Sequence, residues 1–398
     1  MDGMVWERLS MAQGGVRGSG AQVIATFVAL GMASGLLGVA LPGIEQHFTI
    51  PHHMTGSLFT GMTAGFVLGS SSTAWVIRRL GLRRTLTLSL LLLAFSLVSA
   101  ATAPSWLLLV VSLTIHGIAA GSVGTGVNSY AVACFPPSLF SWLHASFGIG
   151  MAASAATLST MLGGGFSWHY GYFAIALLIA ALTFWLCVAR WLPEAFLSDG
   201  ITVCPSPLTV TLHQKLAWLL GGIISLAAIE GVVGVWAASV LIGRGLSSDV
   251  AGTGAAIYWT AFTAGRLLIG GLVRFVAPQQ IIRVSAWILL AGMVIFMYAS
   301  SISGSWIGLA IAGMAVAPLF PLILAYAAER LGPSRASQLT AAYSVSSNLS
   351  QTALSSLAGV VASIWGTGAI ALYLVIVGIG LVALTEMTLP AARQHQEP

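Results

Sequence analysis

The chain has 398 residues, of which 57% are hydrophobic and only 6% are charged. A soluble domain carries about 25% charged residues, so this composition cannot cover a water-exposed surface. Because a membrane span takes roughly 20 residues plus a short connection, the length holds about twelve spans and no sizeable domain outside the membrane. The composition therefore argues against a soluble enzyme, a nucleic-acid-binding protein and a secreted disulfide-rich protein.

Charge and cysteine content agree with a membrane protein. The net charge of +5 comes from arginines and one lysine, Lys215, and basic residues are typical of the cytoplasmic flanks of membrane spans. Cys134, Cys187 and Cys204 lie far apart with no CxxC spacing. They predict neither a disulfide framework nor a metal site.

Apolar runs that break at charges, proline and glycine predict twelve membrane helices. The first run, from about Ala21 to Pro42, is too long for the hydrophobic region of a signal peptide and is interpreted as a span. The predicted spans lie near residues 21–42, 55–77, 85–103, 106–134, 140–163, 168–191, 216–242, 250–273, 280–302, 305–328, 337–363 and 366–389.

Basic residues predict the orientation of these spans. Four arginines crowd the second connection and most others fall in later even connections, whereas the odd connections carry almost only Arg244. Both termini are therefore expected in the cytoplasm. A proline-containing polar stretch separates six spans from six. The predicted parts are a cytoplasmic N-terminal tail, an N-terminal six-helix bundle, a cytoplasmic linker, a C-terminal six-helix bundle and a cytoplasmic C-terminal tail, at residues 1–20, 21–192, 193–213, 214–390 and 391–398.

The two halves align without gaps at a shift of 196 residues. Gly38 matches Gly234, and Arg78 matches Arg274. A repeat of six spans keeps its topology, so the halves are parallel and related by an axis along the membrane normal. Two such bundles can rock about a midplane cavity and expose one site to alternate sides of the membrane. The repeat predicts a transporter rather than a channel.

The connection between the second and third spans, Ala74–Arg84, resembles the G-x-L-x-D-R-x-G-R-R loop of the major facilitator superfamily, and the likeness extends over essentially the whole chain. Ala74 stands in place of the glycine and Arg78 in place of the aspartate. The resemblance implies an all-α membrane protein with twelve helices in two pseudo-symmetric six-helix bundles. It also implies a cytoplasmic gating role for this loop and its repeat partner, with the candidate residues Arg78, Arg79, Gly81, Arg83, Arg84 and Arg274.

Within the superfamily the chain is similar to the fucose-permease-like branch. The similar residues are Asn128 in span four, His144–Gly150 in span five, Glu230 and Trp236 in span seven, and Arg266 in span eight. The acidic residues that fucose permease carries in its N-terminal half have no counterpart in the predicted spans one to six, so neither its substrate nor its coupling carries over to this chain from the likeness.

Glu230 and Arg266 are the two ionisable residues well inside predicted spans. A charge at the bilayer centre costs at least about 2.5 to 3.5 kcal/mol, so such residues usually have a function. One interpretation is a structural ion pair between adjacent helices. The other is that Glu230 binds solute and carries the coupling proton, because making and breaking the contact with Arg266 would change its proton affinity.

Histidines give weaker signals. His144 lies early in span five and matches the histidine of the resembled family, and it is either a solute or gating residue or a packing residue. His116 in span four is interpreted as packing. His47, His52 and His53 lie on the predicted first external loop without regular ligand spacing, so a solvated loop is favoured over a metal site.

Span eleven carries a polar stripe, in which Ser344 is followed by residues at i+4, i+7 and i+11 on one helix face. Such a stripe either joins helices by hydrogen bonds or lines a cavity. Aromatic residues at positions that resemble those of the family could stack on the apolar faces of a sugar ring. Trp236 lies about 120° around the helix from Glu230, so both need not face the cavity. The candidate substrate-binding residues are Asn128, His144, Phe147, Glu230, Trp236, Trp259, Tyr343, Asn348 and Gln351, and the proton-coupling candidates are Glu230 and Arg266.

These features predict a secondary active transporter, not an enzyme, that moves a small polar solute across the plasma membrane, or the inner membrane of a bacterium. A sugar is the first candidate, with proton coupling. The alternatives are an exporter of drugs or lipophilic cations, and a receptor of the same fold that transports nothing. The expected partners are the solute, the proton and the lipid bilayer. No cofactor, metal or nucleic acid is expected, and the protein is expected to be a monomer.

Overall fold

A computed structural model describes residues 2–134, 137–188, 214–273, 275–331 and 333–389. All regular structure in these residues is helical. The first half contains α1 (Asp2–Phe48), a 3₁₀ helix η1 (His52–Thr55), α2 (Gly56–Leu80), α3 (Leu82–Ala101), α4 (Trp106–Cys134), α5 (Pro137–Gly163) and α6 (Trp168–Val188). The second half contains α7 (Gln214–Ala227), α8 (Ile229–Gly243), α9 (Ser248–Leu272), α10 (Pro278–Tyr298), α11 (Ile302–Val316), α12 (Leu319–Leu331), α13 (Pro333–Trp365) and α14 (Ala369–Thr388).

Each of the twelve predicted spans corresponds to one helix or to a pair of consecutive helices, which confirms the predicted fold class. Among the described residues, nine spans are long and apolar enough to cross a membrane by composition alone. The other three spans are α2, α9 and α13. The predicted linker 193–213 and the tail 391–398 lie outside the described residues. The first helix begins at Asp2 and ends at Phe48, so it is longer than the predicted span at both ends.

Two spans are broken helices, which the hydropathy pattern does not predict. The seventh span breaks at Ala228, where the amide of Gly231 donates to the carbonyl oxygen of Ala228 at 3.2 Å in a tighter turn. The tenth span breaks at Pro318, between α11 and α12. Proline lacks the amide hydrogen that a continuous helix needs and its ring clashes with the preceding turn. The break in the seventh span lies next to the charged residue Glu230.

The repeat is visible in the helix boundaries. Helices α3, α4 and α5 begin at Leu82, Trp106 and Pro137, and α10, α11 and α13 each begin 196 residues later. The ends of α1 and α8 also correspond, because the left-handed residues Thr49 (φ 51°) and Gly245 (φ 86°) are 196 positions apart. Both ends are closed by the same pattern of backbone hydrogen bonds. The amide of Ile50 donates to the carbonyl oxygen of Glu45 at the end of α1, and the amide of Leu246 donates to that of Leu241 at the end of α8.

The described chain forms two compact units. In unit 1, small residues bring helices into backbone contact: a Cβ at Gly31 of α1 would overlap the carbonyl oxygen of Phe147 in α5, and one at Gly65 of α2 would overlap that of Thr114 in α4. Unit 1 comprises the described residues up to Leu36, those of Gly61–Ser154 and those from Ser167 to Val188. Unit 2 comprises Leu37–Thr60, Ala155–Phe166 and the described residues from Gln214 onward.

Unit 2 therefore combines the ends of α1 and α5, and η1, with the helices of the second half. One close backbone contact joins repeat-equivalent residues, because a Cβ at Gly38 of α1 would overlap the carbonyl oxygen of Gly234 in α8. Glycine permits this approach because it has no side chain to separate the two backbones.

Candidate functional site

The two buried charges predicted from the sequence lie together in unit 2. Oε1 of Glu230 is 3.9 Å from Nη2 of Arg266, which is too far for a hydrogen bond. Both side chains remain partly exposed, at 27% and 17%. The Nε atom of Arg266 is buried and has no hydrogen-bond partner among the described residues. The pair is thus attracted by charge without being fixed in a hydrogen-bonded geometry.

Helix α9 supports this pair through residues spaced four apart. The hydroxyl of Tyr258 donates to the backbone carbonyl oxygen of Glu230 at 2.8 Å. The ring of Phe262 lies under the guanidinium of Arg266, with 4.2 Å between the guanidinium carbon and the ring centroid. Tyr258 and Phe262 are fully buried. Sequence analysis missed both residues, although the spacing Tyr258, Phe262, Arg266 places them on the helix face of the arginine.

The two tryptophan candidates are enclosed in unit 2. Trp236 is 0% exposed, and its indole N–H donates to the carbonyl oxygen of Ser355 at 3.1 Å. Trp259 is 4% exposed, and a Cβ at Gly234 would overlap its ring. In this conformation neither tryptophan offers a ring face to a solute. The burial of Trp236 beside the part-exposed Glu230 agrees with their angular separation around the helix.

The polar stripe of α13 divides between two environments. Gln351 is exposed and packs over Gly231 in α8, where an added Cβ would overlap the amide nitrogen of Gln351. Ser355, one turn further, is buried. Asn348 is half-buried, and Tyr343 is 4% exposed with its ring against Gly221. The side chain of Ser344 lies outside the described part. Gln351 is therefore the stripe residue nearest to Glu230 along the described contacts of α8.

The candidates of the first half lie in unit 1. The ring of His144 meets Phe27 edge-to-face, with centroids 5.8 Å apart, and Phe27 meets Phe147 at 6.5 Å. Asn128 is half-buried, and its Oδ1 atom is buried without a hydrogen-bond partner in the described residues. His116 is buried in α4. Asn128 thus offers an unused acceptor, whereas His144 and Phe147 belong to an aromatic cluster on α1 and α5.

The arginine-rich connection between α2 and α3 caps a neighbouring helix in unit 1. Gly81 has a φ of 80°, a conformation that favours glycine, and it separates the two helices. A guanidinium nitrogen of Arg83 donates to the carbonyl oxygen of Cys187, in the last turn of α6, at 2.7 Å. Arg79 lies over the ring of Trp75, and Arg78 and Arg84 are exposed. Arg274 lies outside the described residues.

The histidine loop contains an ion pair that sequence analysis missed. Nδ1 of His52 is 2.9 Å from Oε1 of Glu45, and Glu45 is only 7% exposed. Glu45 lies beyond the predicted first span, which ends near Pro42, but α1 continues to Phe48 and includes it. In the described residues, no group of three or more histidine, cysteine or acidic side chains is arranged to hold a metal ion.

The chain contains two copies of a six-span unit, and the Glu230–Arg266 charged pair joins two spans of the second copy. This arrangement defines a membrane transport protein. The chain matches the Major Facilitator Superfamily over residues 23–353, and it belongs to that family. It is therefore a multi-pass membrane transporter by family and not an enzyme, which confirms the resemblance inferred from the arginine-rich loop.

Relatives and solved structures agree with this membership. The chain is 26% identical to the membrane protein MosC of Rhizobium meliloti over 310 residues, 76% of this chain and 73% of MosC. It is 23% identical to the protein TsgA of Shigella flexneri over 286 residues, 68% and 69% of the two chains. The crystal structure of a point mutant of the nucleoside transporter NupG superposes with a TM-score of 0.77 at 14% identity, covering 93% of this chain and 100% of that chain.

Two sugar symporters share the fold. The D-xylose–proton symporter has a TM-score of 0.74 at 14% identity, with 94% of this chain and 98% of the symporter covered. The transporter FucP in its outward conformation has a TM-score of 0.62 at 16% identity, with 94% and 99% covered. At these identities the structures establish the fold and leave the solute of this chain open.

Proposed function

We propose that this transporter moves a small polar solute, with a sugar as the first candidate, across the plasma membrane by alternating access and in symport with protons. The observation that carries the proposal is the loose Glu230–Arg266 pair. A purely structural pair would gain from a direct hydrogen bond, because buried ions are stabilised only when their geometry is good. The 3.9 Å separation and the partial exposure leave both groups able to bind something else.

The geometry favours a hydroxyl group as that partner. An oxygen atom placed about 2.8 Å from both charged atoms fits across a 3.9 Å gap, donating to Glu230 and accepting from Arg266. The amide of Gln351 adds a further donor and acceptor one helix away. Trp236 and Trp259 are buried, so solute recognition in this conformation rests on these polar groups rather than on ring stacking.

A lipophilic cation suits the pair less well. The carboxylate of Glu230 already has a positive neighbour, and the ring of Phe262 is occupied by the guanidinium of Arg266. A cationic drug would lie close to that guanidinium, and like charges at such distances repel. An exporter of lipophilic cations is therefore the second candidate.

We assign proton coupling to Glu230. A motion that makes and breaks its contact with Arg266 changes the electrostatic field at the carboxylate, and hence its affinity for a proton. The repeat-equivalent residue Ser34 carries no charge, and its hydroxyl donates to the carbonyl oxygen of Leu30 in its own helix at 2.9 Å. The proposed coupling site is thus confined to the second half of the chain.

The solute class can be identified by thermal unfolding of the purified protein with sugars, nucleosides and lipophilic cations. We expect stabilisation by a hydroxyl-rich solute, and stabilisation by lipophilic cations alone would favour the exporter. Uptake of the stabilising solute into proteoliposomes then separates a transporter from a receptor. Ala substitutions of Asn128, His144 and Phe147 in the same assay test their predicted roles in binding.

Coupling is tested with Glu230→Gln, which keeps the shape of the side chain and removes its charge. We expect this variant to exchange solute down a gradient but to lose accumulation driven by a pH gradient. Glu329→Gln, at an exposed carboxylate of α12, is the matched control and should accumulate solute normally. Full accumulation by a folded Glu230→Gln protein would end the coupling proposal, and loss of every transport mode with a low folded yield would indicate a structural role.

The predicted orientation and gating are part of the same proposal. Fusion of a cytoplasmic reporter within residues 193–213 or at the C-terminus should give a signal, and a silent reporter would contradict cytoplasmic termini. The arginine-rich loop is proposed to stabilise one state of the cycle, since Arg83 already caps the carbonyl end of α6.

A further inference from the structure

Glu45 and His52 form an ion pair at the junction of α1 and η1 in unit 2. The carboxylate is 7% exposed and the imidazole 33% exposed, so the acid is buried while water still reaches the histidine ring. A buried carboxylate needs a compensating partner, and His52 supplies it. The ring can exchange its proton with the aqueous phase without unfolding the helix end.

A strained backbone turn sets the pair. Thr49 adopts a φ of 51°, which is rare for a β-branched residue, and the amide of Ile50 donates to the carbonyl oxygen of Glu45 at 3.1 Å. This turn ends α1 and directs the chain back over the last turn of the helix. His52 thereby reaches the carboxylate seven residues before it.

Three contacts connect His52 and its neighbour to the second half of the chain, all within unit 2. The ring of His52 meets that of Trp236 in α8 at 6.2 Å and an interplanar angle of 73°. The carbonyl oxygen of His52 lies so close to Gly359 in α13 that an added Cβ would be 2.7 Å away. The amide of His53 donates to Oγ of Ser363 in α13 at 2.8 Å. We call the set Glu45, His52, Trp236, Gly359 and Ser363 the His52 latch.

We propose that the His52 latch is a proton-operated lock, in which a protonated His52 holds α1 and η1 against α8 and α13 and a neutral His52 lets them part. The protonated ring makes a charge-assisted hydrogen bond with Glu45, which is stronger than the neutral one. This bond fixes η1 against the end of α1, in the position from which η1 contacts Trp236, Gly359 and Ser363. With the predicted orientation, this end of the protein faces the exterior. The proposal goes beyond the coupling role of Glu230 and does not depend on it.

The direction of the pH effect follows from the groups that surround His52. Glu45 faces it from α1 and His53 follows it in η1, whereas the contacts from α8 and α13 come from the uncharged Trp236, Gly359 and Ser363. The hydrogen bond with Glu45 raises the pKa of His52, burial opposes this, and the negative charge of Glu45 raises it further. Because the pKa is raised, the stabilisation is complete below the ordinary histidine pKa and is lost as the pH rises through the raised value.

Amide hydrogen exchange of the full-length protein in lipid nanodiscs tests the lock without a solute. The reporter is a peptide that contains the amide of His53, measured from pH 5.5 to 8.5 and corrected for the intrinsic pH dependence of exchange. A charge-assisted hydrogen bond contributes about 1.5 kcal/mol, so we expect protection to fall about tenfold towards high pH. His52→Gln should remove this fall, and His47→Gln, at an exposed histidine in the last turn of α1, should retain it.

A second measurement guards against loss of folding in the variants. The imidazole resonances of ¹⁵N-histidine-labelled protein, with His52 identified by the signal missing in His52→Gln, give its titration directly. We expect His52 to titrate above the ordinary histidine pKa. The proposal is overturned if His52 titrates at or below that ordinary value, or if protection of the His53 amide has the same pH dependence in His52→Gln. Glu230→Gln should leave both measurements unchanged, so this proposal and the coupling proposal fail independently.

Discussion

Replacing Gly38 with alanine should separate α1 from α8 in unit 2. The added Cβ would lie 3.1 Å from the carbonyl carbon of Gly234 and from Cα of Val235, and closer still to the carbonyl oxygen of Gly234. All three obstructing atoms belong to the backbone of a buried helix. They cannot rotate away as a side chain can, so the helices must move apart.

The size of the effect follows from this overlap. Relief requires roughly 1 Å of separation, and a gap of that size forfeits a quarter to a half of the dispersion energy of the affected contacts. Overpacking of a close contact costs about 1 to 3 kcal/mol. If the cost falls on the packed arrangement alone, its population relative to a separated arrangement falls by about 5- to 150-fold.

Disulfide formation between α5 and α9 reports on the packed arrangement. The hydroxyl oxygens of Ser159 and Thr253 are 3.1 Å apart in unit 2, so cysteines at these positions should cross-link when the helices are packed. The natural cysteines are first replaced with serine. We expect Gly38→Ala to slow cross-linking, because a smaller fraction of molecules is packed, whereas Gly271→Ala should have no effect, because nothing lies within 4 Å of its added Cβ. Equal cross-linking rates in the two variants would refute the argument.

Three further substitutions separate strain in a side chain from strain in the backbone. The Cβ added by Gly231→Ala would meet the flexible side chain of Gln351. We therefore expect the free energy of unfolding to change by less than about 0.5 kcal/mol, whereas stabilisation by the bound solute should weaken. Thermal unfolding with and without solute checks both expectations. Gly245→Thr should destabilise by about 1 to 2 kcal/mol, because its left-handed backbone disfavours a β-branched residue. Thr49→Gly should be nearly neutral, since relief of similar strain offsets the greater chain entropy of glycine, and equal destabilisation by both changes would contradict this account.

The sequence by itself determined the spans, the duplication and the family. Hydrophobicity over twenty residues is a local property, and a chain that must satisfy its backbone groups inside a membrane has few alternatives to helices. The constant shift of 196 residues was likewise evident in the amino-acid sequence, and the same shift separates the starts of α3, α4 and α5 from those of α10, α11 and α13. Glu230 and Arg266 were recognisable because charges are rare within apolar spans.

The tertiary structure alone decided which side chains meet and which remain accessible. Nothing local to Trp236 indicates that it is enclosed, because its burial depends on α13 and η1 packing around it. Glu45 and His52 pair only because the turn at Thr49 reverses the chain, and Tyr258 reaches Glu230 only because α9 lies beside the broken seventh span. Hydropathy patterns record how apolar each face is. They do not record which distant residue completes a hydrogen bond, since that choice is made when helices pack and most buried polar groups find a partner.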